Sequence, residues 1–195
     1  RYDRELLMRE MDLFPKWLLE RHLDLALGDD ERDMLRRVFE LLVDNALEQP
    51  VVCVHRDYHS RNLMVLGERN PGVIDFQDAV AGPLTYDLVS LLRDCYIRWP
   101  SQQVDSWLER YHRRLGDEGR DWPTFRRWFD RMGVQRHLKA AGIFARLNHR
   151  DGKPGYLADI PRTLAYIVDV AERDGAIAPL ADFLLSRLAP EWTTC

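Results

Sequence analysis

The stretch Val51-Val52-Cys53-Val54-His55-Arg56-Asp57-Tyr58-His59-Ser60-Arg61-Asn62-Leu63-Met64-Val65-Leu66 decides how the rest of the chain is read. Val51–Val54 is a short β-branched run, long enough for a strand and too short for a helix. Seven polar or aromatic residues follow, and Asn62–Leu66 then reads as a second strand. Gly67 to Gly72, with Asn70-Pro71-Gly72, is a turn, and Val73-Ile74-Asp75-Phe76 is a third strand. The polar residues therefore gather at strand ends, where loops carry chemistry on a fixed scaffold.

Working outward, the flanks read as helix. Upstream, Asp3 to Leu27 repeats apolar residues at helical spacing (Leu6, Leu7, Phe14, Trp17, Leu18), with Pro15 predicting a kink or break near Phe14. Asp29 and Asp30 read as caps of a second helix running through Glu48. Downstream, helices are expected over 87–98, 102–115, 124–149, 159–173 and 179–188, separated by Gly- and Pro-bearing loops. A helix-dominated chain with a small strand island is α+β in class.

Bulk composition narrows the function classes. At 195 residues and 46% hydrophobic content, the chain can bury one proper core. No apolar run is long enough to cross a bilayer, and the first residues are charged rather than signal-like. Cys53, Cys95 and Cys195 are scattered without C-x-x-C spacing, so a reducing, cytoplasmic setting is expected. A net charge of −4 offers no global field for nucleic acid or acidic membrane. Locally, 120–150 holds Arg120, Arg126, Arg127, Arg131, Arg136, Lys139, Arg146 and Arg150 against Asp121 and Asp130, a net +6. Two readings stay open for that segment: a solvated helix face, or a basic wall beside an anionic ligand.

The loop His55-Arg56-Asp57, with Asn62 five residues after the Asp, matches the H-R-D-x-x-x-x-N catalytic loop of kinases. Asp75-Phe76 follows where kinases carry D-F-G. In phosphoryl transfer Asp57 would accept the acceptor hydroxyl's proton, while Asn62 and Asp75 would offer hard oxygen ligands to Mg²⁺. His55 is expected to support the loop backbone, and His59 to face the phosphoryl group; both are carried as candidate catalytic residues. The i, i+4 spacing of His55 and His59 lacks the Glu of H-E-x-x-H and a third ligand, so zinc is not read there. His22, His112, His137 and His149, like Trp17, Trp99, Trp107, Trp122, Trp128 and Trp192, are read as packing or surface residues.

These residues resemble the aminoglycoside phosphotransferase-like superfamily of small-molecule kinases. Gly82-Pro83-Leu84-Thr85-Tyr86-Asp87-Leu88 is similar to that superfamily's G-[DP]-P-x-x-D-L element opening a helix. Protein kinases match less well, because Gln77 replaces the Gly of D-F-G and no A-P-E follows. Within the superfamily, Val54–Leu66, Val73–Trp99 and the tail around Arg146–Tyr156 look most like bacterial anomeric sugar kinases. Those phosphorylate N-acetylmuramate and N-acetylglucosamine at C1 during cell-wall recycling. The resemblance implies an ATP- and Mg²⁺-dependent cytoplasmic kinase, with Arg146 and Asp87 as candidate substrate contacts. An aminoglycoside kinase, a choline- or homoserine-type kinase and a non-catalytic kinase-derived binding module stay as alternatives.

No G-x-G-x-x-G or Walker sequence is present, and Lys16, Lys139 and Lys153, the only lysines, lie on no β-rich stretch. Residues 1–195 are therefore expected to be the mostly helical C-terminal lobe of a protein-kinase-like fold, without its N-terminal nucleotide lobe. Alone it should be inactive, with an unusually apolar lobe-facing surface around 51–76.

Overall fold

The computed structural model describes residues 2–188, so Trp192 and Cys195 lie outside the described residues. Helix α1 (Arg4–Met11) starts at Asp3, whose carboxylate accepts from the Leu6 N–H at 3.0 Å. Pro15 does not break the chain. It sits at the start of a π-helical segment, Phe14–His22, a wider turn that accommodates its missing N–H. Helix α2 (Asp29–Leu47) is capped one residue earlier than expected: the Gly28 N–H donates to Glu31 Oε2 at 2.8 Å. Asp29 and Asp30 lie inside the first turn, where their charge complements the helix dipole.

Strand β1 (Val51–Val54) pairs antiparallel with β4 (Val80–Pro83), Val51 opposite Pro83 and Val54 opposite Val80. The strand partner was hidden in the sequence by Gly82-Pro83; Pro is tolerated because β4 has β1 as its sole ladder neighbour. The expected second and third strands are much shorter, β2 (Leu63–Met64) against β3 (Gly72–Val73). Ile74–Phe76 leaves the ladder, and Asp75 adopts φ 67°, outside strand conformation. Val65 (94% exposed) and Phe76 (69%), with Val51, Met64, Leu66, Val73 and Ile74, make this end of the molecule conspicuously apolar.

Helix α3 (Tyr86–Leu92) stops six residues short of the expected end. Asp94 turns the chain instead, its Oδ1 accepting from the Tyr96 N–H at 2.8 Å. Helices α4 (Ser101–Leu115), α6 (Ile160–Ala171) and α7 (Ala178–Arg187) follow the sequence closely. Helix α5 (Trp122–Asp151) runs through the centre, with α1, the π segment, α2, α3 and α6 around it. The α5–π crossing is tight at Gly142, where an added Cβ would lie 2.5 Å from Leu13 O and 2.6 Å from Phe14 N. Among the described residues no helix is long and apolar enough to cross a membrane.

Central placement bears on the two readings left open for 120–150. Most of that stretch is tied to acids, several of them from distant segments, while Arg120 and Arg150 stay exposed. Arg126 reaches Asp105 at 2.7 Å and Asp130 at 3.0 Å, and Arg127 reaches Glu48 at 2.5 Å. Arg131 pairs with Asp174 at 2.6 Å and Lys139 with Glu10 at 3.1 Å, while Arg93 of α3 pairs with Asp130.

Candidate active site

The loop after β1 is held by side chains from four places. Asp87, at the start of α3, accepts from the His55 N–H at 2.7 Å and the Arg56 N–H at 3.0 Å, one bond to each oxygen. Such a clamp suits a turn in which Arg56 takes φ 78°. Burial raises the Asp87 carboxyl, and the two backbone donors oppose that shift. Asp87, expected as a substrate contact, thus positions the loop. Asp94 does the same further on, its Oδ2 accepting from the Ser60 N–H at 2.8 Å.

His55 ties the loop to the segment carrying Asp75. Its Nδ1 accepts from the Asp57 N–H at 3.3 Å, so its proton sits on Nε2, which donates to Ile74 O at 3.0 Å. Both ring nitrogens are engaged in structure, which suits a brace rather than a reacting group. Arg56 completes the frame by reaching Glu10 of α1 at 2.5 Å. Glu10 is buried and also receives Tyr2 Oη and Lys139. Burial pushes its carboxyl up, but Lys139, Tyr2 and Arg56 together bring it below the ordinary range.

Asp57 lines a cleft shared with His59, Tyr86, Cys95, Tyr96, Arg136, Lys139, Ala140, Ile143 and Phe144. His59 lines the cleft as a neutral ring, its pKa lowered by burial and then by Arg136, and its Nδ1 is buried without a partner. Tyr96 stands between the His59 ring, 5.3 Å between centroids, and the Arg61 guanidinium, 3.5 Å from its own. Burial pushes its hydroxyl up to about 12.

Arg146 does not line this cleft. It sits ten residues beyond Arg136, about 15 Å along the α5 axis. The cations that do line it are Arg136 and Lys139. Both were visible within the basic segment, but nothing in the sequence separated them from their six neighbours. Their only signal is helical spacing, since 136, 139/140 and 143 share one face.

Of the two candidate metal-binding residues, Asn62 contacts Asp57 directly and Asp75 follows a residue bonded to Asn62. Asn62 donates from Nδ2 to Asp57 O at 3.0 Å, which leaves its Oδ1 for a ligand. The Ile74 N–H donates to Asn62 O at 3.1 Å, drawing Asp75 to the same end of the strand island. Asp75 accepts from Gln77 Nε2 at 2.6 Å on one carboxylate oxygen and keeps the other. Among the described residues no cluster of three or more His, Cys, Asp or Glu could hold a metal. An amide oxygen and a carboxylate nevertheless suit Mg²⁺ bound with a nucleotide, because phosphates and waters fill most of its octahedron.

Comparison with known proteins agrees with this chemistry. Residues 1–128 match the model of the phosphotransferase enzyme family. An N-acetylmuramate/N-acetylglucosamine kinase of Pseudomonas putida is 49% identical over 187 residues, covering 94% of this chain and 55% of that protein. The kinase of the same name from Pseudomonas aeruginosa is 49% identical over 189 residues, 95% of this chain and 56% of its own length. One from Neisseria meningitidis is 46% identical over 194 residues, 97% and 58%. The chain thus spans little more than half the length of these relatives. The family match ends inside α5, before Arg136; these three kinases match nearly the whole chain.

Proposed function

Since this chain belongs to the phosphotransferase enzyme family, we propose that it is the catalytic-loop and acceptor lobe of a cytoplasmic, ATP- and Mg²⁺-dependent sugar kinase. The acceptor would be the anomeric hydroxyl of N-acetylmuramate or N-acetylglucosamine, the sugars in the names of its relatives. The observation that carries the reading is Asp57 lining one cleft together with side chains of α5. An acceptor hydroxyl there donates a hydrogen bond to Asp57 and loses its proton to it, as its oxygen bonds the γ-phosphorus and ADP departs. Asn62 and Asp75 are the residues that would hold Mg²⁺, which neutralises phosphate charge during transfer. His55, Asp87 and Asp94 act through the loop backbone, keeping Asp57 aimed.

A lobe supplying the phosphate cradle would cover the apolar end at Val51, Met64, Val65, Leu66, Val73, Ile74 and Phe76. The cleft is a poor fit to aminoglycosides. Arg136 lines it without a paired carboxylate among the described residues, and a polycation would meet repulsion there.

The test is a panel of sugars, aminoglycosides and choline offered with Mg-ATP to the complete gene product, with products read by ³¹P NMR. We expect phosphate on the anomeric oxygen of both N-acetyl sugars and none on their C1-reduced alditols. Transfer to an aminoglycoside or choline, or to no sugar at all, would overturn the reading.

A further inference from the structure

We propose that Arg136 receives a carboxylate of the acceptor and so distinguishes N-acetylmuramate from N-acetylglucosamine; this rests on the sugar-kinase reading. Three cationic side chains are less than a tenth exposed among the described residues: Arg93, Arg136 and Lys139. Arg93 has Asp130, and Lys139 has Glu10 at 3.1 Å and Tyr86 Oη at 2.9 Å. Among the described residues Arg136 has no carboxylate within 4.0 Å; its one hydrogen bond there runs from Nη1 to Cys95 Sγ at 3.4 Å, a weak acceptor, and its Nε is buried without a partner.

A buried guanidinium without a directly paired carboxylate is costly. Burial works against the Arg136 charge, yet Cys95, Tyr86 and Asp57 together hold its pKa above the ordinary range, so the group stays cationic. The same side chain faces the cleft that Asp57 lines. A ligand carboxylate entering there would meet a guanidinium that no protein carboxylate pairs. N-acetylmuramate carries such a carboxylate on its lactyl ether, and N-acetylglucosamine carries none. Lys139 is already satisfied by Glu10 and Tyr86, and His59 is neutral. Among the cleft's side chains, the recognition of negative charge therefore falls to Arg136.

The experiment measures KM and kcat for both sugars in the complete gene product and in Arg136→Gln, with Arg136→Lys as a variant that keeps the charge but not the fork. A charge-assisted contact of this kind gives about a tenfold to hundredfold rise in KM for N-acetylmuramate in Arg136→Gln. KM for N-acetylglucosamine should move much less, and Arg136→Lys should fall between. A substrate-side deletion needs no variant: the carboxamide of N-acetylmuramate should lose the same factor with unaltered protein and nothing further with Arg136→Gln. Equal losses on both sugars, or an amide that serves as well as the acid, overturns the assignment while leaving the kinase reading intact. Unaltered protein that phosphorylates neither sugar overturns both.

Discussion

Replacing Glu10 by Gln keeps its shape and removes its charge, at the one residue that joins α1, the catalytic loop and α5. The native carboxylate is 6% exposed and faces Arg56 at 2.5 Å and Lys139 at 3.1 Å, with Tyr2 Oη and Gln135 alongside. Removing one partner of a buried ionic set costs about 3–5 kcal/mol, because the remaining charges are stranded. The lower end applies here, since the Arg56 side chain is 22% exposed and Lys139 keeps Tyr86 Oη at 2.9 Å. For a chain of this size about 3 kcal/mol corresponds to a Tm drop of about 6–12 °C. The folded-state pKa of Glu10 lies below its unfolded value, so its stabilisation is complete above the unfolded value of about 4.3 and is lost as pH falls through the folded one. Thermal melts followed by far-UV circular dichroism, at neutral pH and under increasingly acid conditions, test this directly. Glu10→Gln should melt well below the parent at neutrality, and the two should converge in acid. An unchanged Tm at neutrality, or a gap that persists undiminished in acid, would refute the charge argument.

Asp57→Asn in the complete gene product should keep its fold and nucleotide affinity while losing about 10²–10⁴ in turnover, measured by coupled ADP release; near-normal turnover would remove Asp57 from its role. Asp75→Ala should shift the Mg²⁺ dependence of activity to higher concentration, which a metal titration at fixed ATP reads; an unmoved titration curve would argue against metal binding there. Gly142→Ala should lower Tm despite a helix-propensity gain of about 1 kcal/mol, because its Cβ would sit 2.5 Å from Leu13 O and overpacking costs about 1–3 kcal/mol. A Tm at or above the parent's would show that the crossing relaxes freely.

Chemistry that is local in sequence could be read from the sequence. The eight residues from His55 to Asn62 carry spacing, type and strand context together, and the downstream helices announced themselves by apolar periodicity. What escaped was long-range. Glu10, Arg56 and Lys139 lie far apart in the chain, and no local pattern in any of them speaks of the others. The charge of 120–150 was countable, but its partners Glu48, Asp105 and Asp174 are scattered, so the sequence alone left open whether the segment was a solvated face or a basic wall. Asp87 announced itself as a motif residue and concealed its job, which appears only when α3 meets the loop. Strand β4 failed on propensity, with Gly82 and Pro83 arguing against the ladder that tertiary context imposes.

The division between the Asp57 loop and the α5 wall has a consequence for how such a protein could change over generations. Within one stretch of helix, positions 136, 140, 143 and 144 meet the ligand space, while Lys139, which also lines it, is tied to Glu10 and Gly142 touches the π segment. Mutations at the first set can alter which acceptor is taken without disturbing the loop that delivers the proton acceptor. Mutations at the second set strike the framework and are removed by loss of stability before any new specificity can be selected. New substrates are thus open to this architecture through four helical positions, each a single codon change away from a differently shaped cleft.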